Sequence, residues 1–106
     1  MNVLVVNDLH MLVPVAGVVH DVVTVSNSAK ALTTDVSIDE GCRVVRLQVQ
    51  GAALRARWDG TDPDASTGFL WSANETKDLP ASLAKSIKWI RATGSDATVV
   101  VAQLTV

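Results

Sequence analysis

The sequence predicts an all-β domain, a sandwich or barrel, and three observations carry that expectation. Val-rich runs recur along the chain: "VLVV", "VVHDVVTV", "VVRLQV" and "TVVVAQLTV". β-branched side chains suit a pleated, half-buried surface. The runs are short and are separated by Gly, Pro, Asn, Asp and Ser, which is the punctuation of sandwiches and barrels. At 106 residues the chain has the length of one domain.

In chain order, strands are predicted near 2–6, 18–25, 43–49, 53–58, 67–73, 86–92 and 97–105. The first run ends at "PVAG" (14–17). Residues 1–17 are therefore either a separate arm or a first strand, followed by a sandwich domain over 18–106. "SNSAKALTTD" (26–35) and "IDEG" (38–41) read as breakers. In 43–49, Val45, Leu47 and Val49 alternate with Val44, Arg46 and Gln48. In 53–58, Leu54, Ala56 and Trp58 share one face, and Arg55 and Arg57 share the other. The "QG" between these strands is short enough for a hairpin whose outer face carries Arg46, Arg55 and Arg57. "DGTDPD" (59–64) and "ETKDLPAS" (75–82) read as further breakers. "PASLAK" (80–85) is predicted to form one helical turn, because Pro fits the first helical position. "TGSD" (93–96) is a turn. The last strand, "ATVVVAQLT", is apolar on both faces, so it is central between two layers or covered by another subunit.

Composition narrows the function classes. Hydrophobic residues make up 48% of the chain, a high share for a small domain, and part of that surface is expected to meet a partner chain. With no Tyr, one Phe and three Trp, the core must come from Val, Leu, Ile and Ala. A net charge of −2 gives no polyanion-binding signal, so no nucleic-acid partner is expected. Cys42 stands alone and reads as a small buried apolar residue. No run has the length of a membrane span. The apolar N-terminus lacks a basic leader, so it does not read as a signal peptide and cytosolic synthesis is expected.

The corner "RWDGTDPDASTGF" (57–69) concentrates acids, two Gly and a Pro. Calcium loops need six to eight oxygens at alternating positions with a closing Glu. Asp59, Asp62 and Asp64 do not follow that spacing, and Pro63 stiffens the middle. The corner reads as structural, with Asp59, Gly60, Pro63 and Gly68 fixing the turn. Three acids on a corner are not two carboxylates held apart in one pocket for acid–base work. His10 and His20 lack patterned metal partners. Ser66 lies in no nucleophile elbow, and no phosphate loop is present. Trp58, Trp71 and Trp89 fit core packing better than a stacking platform. The chain is read as non-enzymatic, with no metal and no cofactor.

Three segments, "VSNSAKALTTD" (25–35), "LRARWDGTDPDASTGFLW" (54–71) and "SIKWIRATGSDATVVVAQL" (86–104), together resemble a class of small bacteriophage and prophage structural proteins. The corner is the most specific piece of that likeness, which runs from Val23 to the C-terminus. Asp62 and Asp64 depart from it, standing where small residues or Thr are expected, and "GFLW" replaces the more usual Gly-His-Leu. The resemblance implies a β-sandwich, jelly-roll-like, in a virion component made in the host bacterial cytoplasm. The reading that follows is a capsid decoration or cement protein on the outer surface of the assembled shell. Its partners would be the major capsid protein and further copies of itself, as a dimer or trimer. Candidate contacts are residues 1–16, with Val3, Leu4, Val5 and Leu12, and the basic face of Arg46, Arg55 and Arg57. A tail, baseplate or head–tail joining component is the alternative. A carbohydrate-binding module using exposed Trp71 or Trp89 is the third reading.

Overall fold

Among the described residues, nine strands form two antiparallel sheets accompanied by two single-turn helices, and buried residues of both sheets form one core cluster. The computed structural model describes residues 12–16, 20–64 and 66–105. In chain order the elements are β1 (Val13–Pro14), β2 (Asp21–Val25), β3 (Lys30–Ala31), α1 (Leu32–Asp35), β4 (Val44–Gln50) and β5 (Leu54–Arg57). They continue with β6 (Phe69–Trp71), β7 (Thr76–Pro80), α2 (Ala81–Ala84), β8 (Lys88–Arg91) and β9 (Ala97–Thr105). The five-stranded sheet has β9 at its centre. Along one side β9 pairs with β4, which pairs in turn with the edge strand β7. Along the other side it pairs first with β2 and then with β1. The four-stranded sheet runs β3-β8-β5-β6.

The pairing is nested. β5 pairs with β6 (Ala56↔Phe69), β4 with β7 (Val45↔Leu79), β3 with β8 (Lys30↔Trp89) and β2 with β9 (Val23↔Val99). The chain from Asp21 to Thr105 therefore behaves as one long hairpin whose tip is the corner after β5. Lateral pairs then close it: β9 on β4 (Val101↔Leu47) and β8 on β5 (Ala56↔Trp89).

Alternation explains the layers. Val45, Leu47 and Val49 of β4 are fully buried, while Arg46 and Gln48 are exposed. Leu54 and Ala56 of β5 are likewise buried between half-buried Arg55 and Arg57. Each buried Val, Leu or Ile contributes on the order of 1.5–3 kcal/mol relative to exposure. Ala97, Val99 and Val101 supply the inward face of β9, and Thr98, Val100 and Ala102 on its other face are half-buried.

The structure corrects several sequence readings. β4 and β5 are not a hairpin: they lie in different sheets, and residues 51–53 carry the chain across from one to the other. Both strands present an apolar face, and both faces are buried in the common core. Arg46 therefore projects from one sheet, and Arg55 and Arg57 from the other, so the three do not form one basic face. "ETKDLPAS" contains β7 rather than only a turn. As an edge strand β7 buries just Leu79, so its sequence stays polar, and Pro80 is tolerated at its end. "SNSAKALTTD" contains β3 and α1, and Leu32 there is fully buried. "PVAG" overlaps β1, which pairs with Leu104 and Thr105 and leads into buried Val15. The helical turn at 81–84 is present, with Pro80 one position ahead of it. The predicted strand 2–6, with Val3, Leu4 and Val5, lies outside the described residues, as does His10.

Candidate functional site

The corner at the tip of the long hairpin is built from its own side chains. Arg57 ends β5 and forks onto Asp59, Nε to Oδ1 at 3.2 Å and Nη2 to Oδ2 at 2.5 Å. Asp59 Oδ1 also accepts from the Thr61 amide (3.2 Å) and hydroxyl (2.7 Å). The guanidinium, followed by the Thr61 donors, holds the Asp59 carboxyl well below the usual carboxylate range. Gly60 between them takes φ +89°, a conformation that costs a side-chain-bearing residue. Pro63 is buried under the corner. Asp64 Oδ1 accepts from the amides of Ser66 and Thr67, both at 2.8 Å, and from the Ser66 hydroxyl, and these bonds, the Ser66 amide first, hold its carboxyl below the usual carboxylate range too. Asp62 meets Lys88 of β8 at 3.2 Å. Each acid of the corner is thus engaged with protein donors.

The chain returns to the sheet at Gly68. Its φ is +119°, and a Cβ there would sit 3.2 Å from the Ala56 carbonyl and 3.3 Å from Pro63 Cβ. Only Gly permits so close an approach of the two strands. Arg55 Nη1 donates to the Gly68 carbonyl at 3.3 Å. The next residue, Phe69, stacks on Trp58 with ring centroids 4.8 Å apart and planes 14° from parallel. Trp58 packs against the core cluster, but Phe69 is 62% exposed. Phe69 has the same facing as its cross-strand partner Ala56, which is fully buried, so the stack continues the apolar inner face of the sheet beyond the covered core. Arg57, Trp58, Asp59, Gly68 and Phe69 line an open depression of about 340 Å³. Leu70, on the other face of β6, is also exposed.

No protein-family model, curated protein or solved structure matches the chain. The site must be read from its own geometry.

Among the described residues no group of three or more His, Cys, Asp or Glu is placed to hold a metal ion. No described helix is long and apolar enough to cross a membrane. His20 is exposed, and Cys42 is buried with its thiol against the Val44 carbonyl. Trp71 and Trp89 are 5% and 0% exposed, which removes both from the carbohydrate platform the sequence suggested for them. Each faces inward from its strand, Trp71 opposite Leu54 and Trp89 opposite Ala56. Of the contact residues read from the sequence, Leu12 is half-buried. Arg46 forks onto Asp78 across the outer face of the five-stranded sheet (2.8 and 2.9 Å), remote in topology from Arg55 and Arg57. A second open depression of about 360 Å³ lies on that face beside His20, Arg46, Gln48 and Val100.

Sequence reasoning singled out Asp59, Gly60, Pro63 and Gly68 but not the Trp58–Phe69 stack. The signal was there: an aromatic at each end of a corner whose Gly returns the chain to the same sheet. It becomes readable only once β5 and β6 are known to pair.

Proposed function

We propose that the chain is a jelly-roll β-sandwich serving as a bacteriophage capsid decoration or cement protein. The supporting observation is the nested order of pairing. Eight strands pair first with last, inward to the corner, and are then divided between two sheets. We take that order as the wiring of a jelly roll, an architecture used by viral capsid and lectin domains. The motif likeness to small phage structural proteins points the same way.

The distribution of exposed apolar residues fits a subunit that associates. Val13, Val22, Phe69 and Leu70 are the large exposed hydrophobics among the described residues, and all lie on strands at sheet edges. Val13 and Val22 belong to the β1–β2 edge of the five-stranded sheet. β6 ends the other sheet, and the short link 72–75 joins it to β7, the opposite edge of the first sheet. Cement proteins bridge many identical subunits, so modest contacts multiply through avidity.

The test is the copy number of this chain per purified virion, by quantitative mass spectrometry against the major capsid protein. Symmetry ties stoichiometry to location. A count on the order of hundreds supports the decoration role. A count of roughly three to a dozen would move the protein to the tail or the head–tail joint. Absence from particles would overturn the reading.

A further inference from the structure

We infer that the corner depression beside Phe69 is a carbohydrate-binding site that takes a neutral sugar ring on the open face of Phe69. Four features of the corner favour a sugar over other occupants. The first is a flat, rigid apolar platform. Phe69 is mostly exposed, yet its plane is set by Trp58 beneath it, and Trp58 is held by the core. One ring face is therefore satisfied and the other is open, which suits the apolar C–H face of a pyranose. The second is a polar pair at the rim. Arg57 and Asp59 lie side by side in the lining, with donors and acceptors in one fork. Neighbouring hydroxyls of a sugar need that combination, a donor and an acceptor at adjacent positions.

The third feature is preorganisation. Asp59 is fixed by Arg57 and Thr61, and the backbone of the corner is held by Asp64 on the amides of Ser66 and Thr67. A weak ligand gains most from groups that need no ordering on binding. The fourth is size. At about 340 Å³ the depression is at the small end of ligand sites, and it is apolar with a few placed polar groups. An apolar peptide side chain would use the platform but leave the fork unemployed. A charged ligand would meet an ion pair already neutralised. The site does not depend on the virion reading. On a multivalent particle, weak single contacts would add through avidity.

The experiment uses the purified full chain. Saturation-transfer difference NMR is run with maltoheptaose, cellohexaose and hexa-N-acetylchitohexaose as probes, alongside Phe69→Ala, Phe69→Trp and Arg57→Gln. The expected result is transfer to ring C–H protons of at least one probe. Phe69→Ala should weaken it about tenfold, as loss of one stacking surface does, while Phe69→Trp retains it. Arg57→Gln should weaken binding with the platform intact. Circular dichroism melts confirm that each variant is folded, and Phe69→Trp keeps the question open to test if Phe69→Ala unfolds. No transfer from any probe overturns the inference. So does transfer that persists unchanged in Phe69→Ala. If light scattering shows a wild-type oligomer that Phe69→Ala converts to monomer, the patch is a contact between copies and the inference fails. None of these outcomes bears on the virion copy number, so the two proposals stand or fall separately.

Discussion

The amide of Asp39 donates a 2.7 Å hydrogen bond to the side-chain carbonyl of Gln103, 64 residues further along the chain. The Gln103 amide group donates in turn to the Ser37 carbonyl at 2.9 Å. Gln103 lies on the inward side of β9 and is 4% exposed, the one buried polar residue among those described. Two backbone groups of the 37–39 segment are thereby tied to the central strand.

Gln103→Leu keeps the volume and removes both bonds. The expected cost is about 1–3 kcal/mol, the range for leaving such groups unsatisfied, read from urea unfolding with an unchanged slope. Gln103→Glu should be worse at pH 7, since it buries a charge that cannot donate to Ser37. It should recover part of the loss near pH 4, where the acid is protonated. Wild-type stability in Gln103→Leu would show that the tie carries no net energy.

Gly60 and Gly68 both have positive φ, but their surroundings differ. A Cβ on Gly60 meets nothing within 4 Å, whereas on Gly68 it meets the Ala56 carbonyl and two side-chain carbons at 3.2–3.3 Å. Gly60→Ala should cost about 1–2 kcal/mol from backbone conformation alone. Gly68→Ala should cost more, because the β5–β6 pair must also separate, and the Trp58–Phe69 stack should loosen with it. Paired thermal melts of the two variants check the order; equal losses would contradict the close approach.

Trp89 is fully buried, and its indole N–H has no hydrogen-bond partner among the described residues. Trp89→Ala should cost about 3–5 kcal/mol through the cavity it leaves. Trp89→Phe should cost far less than its lost volume suggests, since it also removes the unpaired donor. Denaturant titrations of both variants, followed by far-UV circular dichroism, measure the difference.

The carboxyls of Asp59, Asp64 and Asp78 all have their pKa held below the ordinary Asp value, each by hydrogen bonds from the neighbours described above. A group whose folded value is depressed binds fewer protons than in the unfolded chain. Its stabilisation is complete above the unfolded value, about 3.9 for Asp, and is lost as pH falls through the folded value. The melting temperature should therefore be insensitive to these acids from pH 7 to about 5 and should fall below about pH 4. Asp78→Asn should flatten only the share due to the Arg46 pair, and that share should be small, as for other exposed pairs. Melts across pH 2–7 for the wild type and the variant test this.

Much of the sheet content was legible from local pattern. Val45, Leu47 and Val49, Leu54 and Ala56, and the Val-rich β9 announce strands because alternation is a property of neighbouring residues. The turn at Asp59–Gly60 and the close approach at Gly68 were legible for a related reason: residue type limits backbone conformation directly. β7, β3 and α1 were not legible. Their side chains are polar or sparse, and their backbones are ordered by pairing with strands tens of residues away. The misread hairpin at Gly51 has the same origin. Alternation says which face of a strand is buried but not which strand lies beside it. Only the tertiary structure decided that β4 and β5 belong to different sheets, so that Arg46 parts from Arg55 and Arg57. Only the pairing of β5 with β6 laid Phe69 on Trp58. A sequence determines where its chain is extended and which side seeks cover, because those follow from local stereochemistry and burial. Which strands meet depends on the burial of all of them together, and that was decided by the fold.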